Sequence, residues 1–524
     1  MSDVTGGTGV TGGTAPTGPT SPTGLTGPEV RTDRGTVRGR TEDGLAVFRG
    51  IPYAQPPVGE LRFMAPRPAR PWDGVRDAGE FGPPPPQSGP IPATRTTAGD
   101  DWLTLNVWSP DPGGSGLPVL VWILGGGYVS GHAGDPLYDA GLLARQGGLV
   151  VVTLNYRVGA EASAQLEGAP ANRGLLDLIA ALEWVQENIA GFGGDPARVT
   201  VAGQSSGAGS VATLLAVPRA AGLFRRATAQ SVPGLYTTPA LASGLAAELA
   251  GSLGTIPTAA GLATIDPWRL AEAITPMMYG LPAQADRWGP LARTGSPFSV
   301  VVDGDLVPET PWTALPDGRA RGVDLLTGHT RDEFRPFLVM SGGRDKVTDE
   351  DTTAALNAFA PGPDGPRAYR AAYPDATPVE LFETVHNDVL FRMPSLHLAE
   401  AHTAGGGTAH LYELRRPAPA LGGALGAAHG LDVSLLFGTY DAPQARLLLG
   451  EGPLPEDLLA VGEEIRRSWT AFATHGDPGW PAHTAADGRL TRLLDTEPST
   501  APYPEEPSRK VWEGHTVRPY DLPA

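Results

Sequence analysis

Residues 199–210 read Val-Thr-Val-Ala-Gly-Gln-Ser-Ser-Gly-Ala-Gly-Ser, and this stretch decides the fold. Its small and β-branched residues 199–202 follow the turn signal Gly193-Gly-Asp-Pro196 and predict a short buried strand. Small and apolar residues then continue at helical spacing through 206–216. A strand, a Gly-x-Ser-x-Gly turn and a helix together form a sharp bend that lifts a serine hydroxyl above the edge of a sheet. We therefore predict that Ser205 is a catalytic nucleophile.

The five-residue motif has a simpler explanation, a Gly-rich turn with no catalytic role. Glycine accounts for 70 of the 524 residues, and at that frequency chance alone gives about one such motif in two chains. The strand predicted before Ser205 and the helix predicted after it favour the catalytic interpretation, because the bend requires both.

The composition excludes several classes of function. Hydrophobic residues make up 41% of the chain and charged residues 18%, as in globular proteins. A formal net charge of −18 argues against a nucleic-acid partner and against an anionic membrane surface. The chain has no cysteine, so it has no disulfide, no thiolate nucleophile and no cysteine metal site. Neither a secretory signal nor a long apolar run is evident, so we expect a cytoplasmic protein, although the composition does not forbid export.

The chain is predicted to form one α/β domain behind a short tail. Residues 1–28 are nearly all Thr, Gly, Pro and Ser, which predicts a disordered tail, and residues 29–524 are expected to form a single domain. Strands alternate with helices, which indicates a mostly parallel, doubly wound sheet with helices on both faces and helical insertions. The predicted strands are 102–108, 117–124, 149–154, 323–328 and 409–414, after an antiparallel meander over 30–48; the predicted helices are 175–189, 239–253, 268–274 and 454–474.

A nucleophilic serine needs an acid and a histidine, which follow it in chain order in folds of this type. Asp332 and Glu333 come just after a predicted strand, and either carboxylate suits the role. His429 lies among small residues in a loop after another strand and could approach Ser205. Taken singly these assignments are weak, because eight of the ten histidines follow Glu333 and the two acids also fit a solvated turn.

Three consecutive glycines suggest where an oxyanion would bind. Gly125-Gly-Gly-Tyr128 follows the apolar strand 117–124 directly. Backbone N–H groups of Gly126 and Gly127 can point into a cavity without an intervening Cβ, and the N–H of Ser206 would add a third donor. The alternative is a flexible Gly turn, but the position of the run one strand before the Ser205 bend favours the functional interpretation.

Taken together, the motifs resemble the type B carboxylesterases, the family of the bacterial para-nitrobenzyl esterases and the cholinesterases. The likeness covers about residues 30–480 in the order of the family. It is carried by Phe48-Arg-Gly-Ile-Pro-Tyr-Ala-Gln-Pro-Pro57, Asp101-Trp-Leu-Thr-Leu-Asn-Val-Trp108, Leu124-Gly-Gly-Gly-Tyr128, Asn155-Tyr-Arg-Val-Gly159, Asn172-Arg-Gly-Leu-Leu-Asp177, Phe192-Gly-Gly-Asp-Pro196, the Ser205 bend, Gly328-His-Thr-Arg-Asp-Glu333 and His429-Gly430.

This resemblance implies an α/β-hydrolase fold and hydrolysis of small-molecule carboxylic esters through an acyl-enzyme, without a cofactor or metal. The roles carry over residue by residue. They are nucleophile for Ser205, base for His429, acid for Glu333 with Asp332 only its neighbour, oxyanion donors for Gly126, Gly127 and Ser206, and a position beside the acid for Ser231.

Four departures from the family pattern affect what can be expected. Leu124 stands where the family usually has a histidine, which suggests altered packing or a reduced rate rather than loss of activity. Trp102 stands where the first family disulfide would need a cysteine. The usual aromatic-rich stretch is the Ala-rich segment 160–164, which leaves the wall of the acyl pocket open to question. Residues 82–99 contain no aromatic residue, which argues against choline specificity.

Candidate substrate-pocket residues are apolar side chains that could equally belong to the core: Tyr128, Met277, Met278, Tyr279 and Phe337. The expected partner is a small-molecule ester; the sequence does not determine the oligomeric state, for which a monomer is one option. Rival functions are a lactonase, cyclase or acyltransferase acting through the same serine, and a non-catalytic binding module of the same fold. A metal hydrolase is the weakest alternative, because His397 and His402 belong to no recognisable ligand pattern.

Overall fold

The structure is a computed structural model that describes residues 27–88, 99–114 and 116–523. The described residues form 16 β-strands. They are β1 Glu29–Arg31, β2 Thr36–Arg38, β3 Arg40–Glu42, β4 Leu45–Pro52, β5 Val75–Asp77, β6 Thr104–Ser109, β7 Leu117–Ile123, β8 Val150–Leu154, β9 Gly194–Gln204, β10 Arg226–Gln230, β11 Tyr236–Thr237, β12 Val300–Val301, β13 Asp324–Thr330, β14 Ala409–Leu414, β15 Thr491–Leu494 and β16 Ser499–Ala501.

The α-helices lie between the strands and in a long insertion after β10. They are α1 Gly141–Gly147, α2 Gly159–Ser163, α3 Arg173–Asn188, α4 Ser206–Ala216, α5 Pro239–Ser252, α6 Ala259–Ala263, α7 Pro267–Glu272, α8 Ile274–Gly280, α9 Ala285–Trp288, α10 Pro311–Ala314, α11 Arg335–Met340, α12 Asp349–Phe359, α13 Gly365–Ala372, α14 Pro378–Asn387, α15 Met393–Ala404, α16 Leu431–Phe437, α17 Pro443–Leu449, α18 Glu456–His475 and α19 Glu506–Val511.

Eleven strands form one large sheet in the order β16-β15-β14-β13-β10-β9-β7-β8-β6-β4-β3. The seven strands from β15 to β8 are parallel, and the strands at both edges are antiparallel. Strands β7 and β8 are apolar runs buried along almost their whole length, as expected for strands covered on both faces. The predicted mostly parallel α/β sheet is confirmed.

Strand β10 lies at the centre of this sheet, between β9 and β13, and the sequence pattern did not reveal it. Its residues are Arg-Ala-Thr-Ala-Gln, with no large or strongly β-forming apolar side chain. Helix α4 packs against β10, and alanine and threonine are small enough to fit beside it. Tertiary packing therefore overrides local propensity here.

The prediction of one antiparallel meander over residues 30–48 is wrong in part. Strands β1 and β2 pair antiparallel in a separate small sheet completed by β5, whereas β3 and β4 form a hairpin at the edge of the large sheet. The chain changes sheets at Gly39, where a Cβ would collide with the Val47 carbonyl oxygen and the Phe48 ring. Close packing at this glycine separates the two hairpins.

The helices of the second half follow the predictions less closely. The helix predicted over 268–274 is two helices, α7 and α8, divided at Ala273. Helices α12 to α15 were not predicted, and a π-helical turn over Asp388–Arg392 joins α14 to α15. In the described part of the chain, none of the helices combines the length and apolar character needed to span a bilayer.

One hydrophobic cluster extends from Val30 to Val517, and two smaller clusters lie beneath the helical insertion. The proposed tail falls mainly on residues 1–26, outside the described residues. That residues 29–524 form one domain stays a prediction.

Candidate active site

The candidate residues gather at one edge of the sheet. Ser205 follows β9, the glycine run follows β7, Ser231 follows β10, Glu333 follows β13, and the loop of His429 follows β14. These five strands are parallel neighbours, so their carboxyl ends meet on the same side of the molecule. In open α/β sheets this edge is where ligands bind.

Ser205 occupies the bend between β9 and α4. Its φ of 57° and ψ of −128° are a strained conformation for a residue with a side chain. Two hydrogen bonds hold it, from Ser205 N–H to the Gln230 carbonyl and from Gly209 N–H to the Ser205 carbonyl, each 2.9 Å. The N-terminus of α4, with its positive dipole end, begins at the next residue.

The glycines of the bend are required by close backbone contacts. A Cβ at Gly203 would lie 2.7 Å from the Gly207 carbonyl carbon, and a Cβ at Gly207 would collide with the Ile123 carbonyl oxygen. Helix α4 therefore lies directly on the end of β7, which leads into the glycine run.

Glu333 and His429 form a short, buried pair. Glu333 is fully buried, and the two side chains meet at 2.5 Å between His429 Nδ1 and Glu333 Oε2. The second oxygen, Oε1, accepts the Thr330 N–H at 2.8 Å. Burial raises the pKa of Glu333, but the charge and hydrogen bond of His429, together with the Thr330 N–H, outweigh it and hold the pKa below its ordinary value. The carboxylate is thus ionised and fixes the Nδ1–H tautomer of His429.

The other ring nitrogen of His429 faces the end of β9. Gln204 donates its side-chain amide to His429 Nε2 at 3.1 Å, and Ser205 is the next residue. Within the described residues the Ser205 hydroxyl makes no hydrogen bond to His429. The ring lies between Phe391 and Phe337, with centroids 4.4 and 5.6 Å away. Catalytic hydrogen bonds often form only when substrate is bound.

The structure brings Glu333 to His429, and it directs Asp332 elsewhere. The Asp332 carboxylate accepts the backbone N–H of Ala427 at 2.8 Å and pairs with Arg331 and Arg335. Of the two acids that residue types alone left open, Glu333 is the one that contacts the imidazole.

The glycine run lies directly against Ser205. A Cβ at Gly125 would be 3.3 Å from Ser205 Cβ. The Gly126 carbonyl accepts the N–H groups of Val129 and Ser130, which closes a tight turn. In the described part of the chain, the N–H groups of Gly126 and Gly127 donate to no protein acceptor. The N–H of Ser206 at the first position of α4 has no partner within the helix, so three donors are available beside Ser205.

The structure shows how the chain accommodates two of the departures from the family pattern, Leu124 and Trp102. The Leu124 side chain is buried against Gly131, where any Cβ would collide with it, and the Leu124 carbonyl accepts the Tyr156 hydroxyl at 2.9 Å. Trp102 is buried in the main hydrophobic cluster. Both residues therefore hold their loops by apolar packing.

The Ala-rich segment forms α2, a helix of small buried residues. The Arg173 guanidinium donates to the carbonyls of Ala160, Glu161 and Ala164, and Glu161 pairs with Arg62. This segment is anchored to α3 and to the helical insertion as part of the core.

The pocket candidates separate into three groups. Tyr128 is buried, with its hydroxyl against Gly209. Met277 and Met278 are half-buried against the cluster beneath the insertion. Phe337 is 48% exposed and lies beside His429, whereas Tyr279 is 74% exposed. Phe337 is the member of the set that contacts a candidate catalytic side chain.

A buried polar network that begins three residues after His429 was not predicted from the sequence. Asp432, three residues after His429 at the start of α16, accepts hydrogen bonds from Gln230 at 2.8 Å and from the Tyr412 hydroxyl at 2.9 Å. The Trp469 indole donates to Gln230 at 3.0 Å. Burial raises the pKa of Asp432. Its position one helical turn after the histidine was the only available signal.

Residues 26–501 match the sequence profile of the carboxylesterase family. This chain belongs to the carboxylesterase family. Over 501 residues it is 34% identical to para-nitrobenzyl esterase of Bacillus subtilis, covering 92% of this chain and 97% of that protein. It is also 34% identical over 474 residues to phenmedipham hydrolase of Pseudarthrobacter oxydans, covering 87% and 93% of the two chains.

Solved carboxylesterases have the same fold. The crystal structure of a carboxylesterase from Geobacillus stearothermophilus superposes with a TM-score of 0.81 at 32% identity, covering 92% of this chain and 99% of that one. The predicted α/β-hydrolase fold is confirmed. This carboxylesterase is a carboxylic ester hydrolase.

Proposed function

We propose that this carboxylesterase hydrolyses small-molecule esters through an acyl-enzyme on Ser205, with His429 as general base and Glu333 as the acid that orients it. The main support is His429, whose Nδ1 meets the buried Glu333 at 2.5 Å while its Nε2 faces the strand end that carries Ser205. A base held by an acid and directed at a serine on a strained bend is the arrangement that activates a hydroxyl.

In the first half of the reaction, the Ser205 hydroxyl replaces the Gln204 amide at His429 Nε2. Its oxygen attacks the ester carbonyl carbon while its proton passes to Nε2. The carbonyl oxygen becomes negatively charged and accepts the N–H groups of Gly126, Gly127 and Ser206. Collapse of the tetrahedral intermediate breaks the bond to the alkoxy oxygen, which takes the proton from Nε2 and leaves as the alcohol.

In the second half, water occupies the place of the alcohol. His429 accepts a proton from this water, the resulting hydroxide attacks the acyl carbon, and Ser205 leaves with the proton returned to its oxygen. Glu333 stays ionised throughout and stabilises the imidazolium that forms in each half. Its low pKa suits this role, because an acid that took up the proton could not stabilise the imidazolium.

A series of para-nitrophenyl esters of increasing acyl length tests the proposal. The purified protein should release a burst of para-nitrophenol equal to the enzyme concentration before the slower steady state, provided that deacylation limits turnover. Ser205→Ala should give neither burst nor turnover. Ser210→Ala is the matched control, since its hydroxyl bonds to the Ser206 carbonyl within α4 and away from the reacting atoms.

Hydrolysis that persists in folded Ser205→Ala would refute the proposal. Its rivals predict different results. An acyltransferase would give more acylated product than free acid when an alcohol acceptor is added. The metal-hydrolase alternative is weakened by His402, whose Nε2 is taken up by the Val323 carbonyl at 2.9 Å.

A further inference from the structure

Asp332 contacts the segment that carries the base. We call residues 424–430 the histidine loop. The Asp332 backbone N–H donates to the Ala427 carbonyl at 3.0 Å, and its carboxylate oxygen Oδ2 accepts the Ala427 N–H at 2.8 Å. Ala427 lies two residues before His429. Asp332, which follows β13, thus bonds to both the N–H and the carbonyl of Ala427.

The contact between Asp332 and the histidine loop leaves no space for a side chain at residue 426. Gly426 has a φ of +67°, and a Cβ there would lie 2.5 Å from Asp332 Oδ2. The Gly426 carbonyl accepts the Ala418 N–H at 2.7 Å on the opposite side. The histidine loop is therefore held between residue 418 and Asp332 just before it reaches His429.

Two arginines hold the orientation of the Asp332 carboxylate. Arg335 binds Oδ1 at 3.0 Å and Arg331 contacts Oδ2 at 3.2 Å. Asp332 is only 6% exposed, so these partners and Ala427 satisfy its carboxylate with little help from solvent. Arg335 also pairs with Glu383 at 3.0 Å, and Glu383 makes no contact with the histidine loop among the described residues.

We infer that Asp332 is a positioning residue for His429, acting through the backbone of the histidine loop. Glu333 fixes the imidazole by its Nδ1 atom, while Asp332 fixes the backbone from which the imidazole projects. Two consecutive residues thus determine both where the ring is attached and which way it faces. This inference rests on the proposed role of His429 as base.

Asp332→Ala tests the inference, because it removes the acceptor of the Ala427 N–H. A displacement of order 1 Å at a catalytic group costs about 100-fold in rate, so we expect kcat on a para-nitrophenyl ester to fall by about that factor. KM should change by less than about threefold, since substrate-binding groups are untouched. Asp332→Asn retains an oxygen that can accept the N–H and should restore kcat to within about tenfold of the parent.

Glu383→Ala is the matched control. It deprives Arg335 of a carboxylate partner, as Asp332→Ala does, but leaves the histidine loop bonded. We expect it to lower the melting temperature with kcat within about threefold of the parent. Active-site titration by burst amplitude corrects every value for the folded fraction.

Three results would overturn the inference: Asp332→Ala with kcat within threefold of the parent, an equal loss of kcat in Glu383→Ala, or an Asp332→Asn variant as slow as Asp332→Ala. If Asp332→Ala does not fold, Gly426→Ala disturbs the same contact from the loop and should lower kcat at least tenfold at unchanged KM; an unchanged kcat would overturn the inference. A parent protein without Ser205-dependent turnover would instead refute the proposed function.

Discussion

The bend at residues 203–207 and the histidine loop both deliver a candidate catalytic side chain, but they are held in different ways. The bend is formed by adjacent segments of the chain, since β9 enters it, α4 leaves it and Gly203 faces Gly207, and one hydrogen bond to the Gln230 carbonyl ties it to the next strand. The histidine loop is held by Asp332 and Glu333, about a hundred residues earlier in the chain. The serine is therefore oriented mainly by residues adjacent to it in the chain, whereas the histidine is positioned by residues far from it in the chain.

Removal of the nucleophile gives the largest expected effect on the bend. Ser205→Ala should lower kcat by about 10⁴-fold or more, because members of a triad act as a unit. The melting temperature should stay close to that of the parent, since the backbone contacts of the bend do not use the hydroxyl. Ester hydrolysis and thermal unfolding of the same preparation check both halves. A folded variant with more than a tenth of the parent rate would show that the bend is structural.

Glu333→Gln tests the long-range side of the comparison. The amide cannot stabilise the imidazolium as a carboxylate does, so we expect kcat to fall by about a thousandfold with little change in KM. The ratio of the two constants in steady-state assays at neutral pH measures the effect. A small loss here would mean that the loop alone positions the base.

Asp332→Asn should have a much smaller effect, less than about tenfold on kcat, with a lower melting temperature. The substitution removes a charge paired with Arg331 and Arg335 but keeps an acceptor for Ala427. Steady-state kinetics and thermal unfolding beside Glu333→Gln make the comparison direct. If the two variants exchanged their effects, Asp332 would be the orienting acid.

We expect a decrease in pH to destabilise the part of the molecule that holds the histidine loop before it destabilises the bend. Burial lowers the pKa of His329, His386, His397 and His483 to about 4, and all four lie after β12. The unfolded chain takes up protons near a pKa of about 6.5. The contribution of these four histidines to stability therefore falls as the pH decreases from about 6.5 to about 4. Loss of the ionised form of Glu333, whose pKa is lowered, acts in the same direction at the acid end. The buried acids Glu413, Asp388 and Asp432, whose pKa values are raised, act in the opposite direction.

Hydrogen exchange at neutral and mildly acidic pH measures this difference. Segments 324–334 and 424–430 should lose protection before segment 199–216. His386→Phe removes one titrating group from an aromatic cluster with Phe334 and Phe382, so its melting temperature should depend less steeply on pH in this range. Equal loss of protection in all three segments would contradict the expectation.

The extent to which sequence predicted the structure follows the same division. The composition and spacing of residues 199–216 predict the bend, because strand, turn and helix are adjacent in the chain. Nothing local distinguishes His429 from the other seven histidines after Glu333, and Asp332 could not be separated from Glu333 by residue type. Resemblance to a family supplied those assignments, and only the contacts across the sheet show which carboxylate reaches the ring.

The elements that were not predicted are those whose side chains fit their packing environment but show no regular hydrophobic pattern in the sequence. Strand β10 is short and rich in alanine, and its burial comes from its position between β9 and β13. Gln204 stands within the quoted motif, but its contact with His429 depends on a loop 225 residues away. Such roles are invisible until the fold brings the two ends together.

The absence of a side chain at Gly207 has a mechanical consequence. Helix α4 rests on the Ile123 carbonyl, and four residues further along the same chain is Gly127, one of the proposed oxyanion donors. A side chain at residue 207 would push α4 away from the end of β7 and so change the spacing between Ser205 and the glycine run.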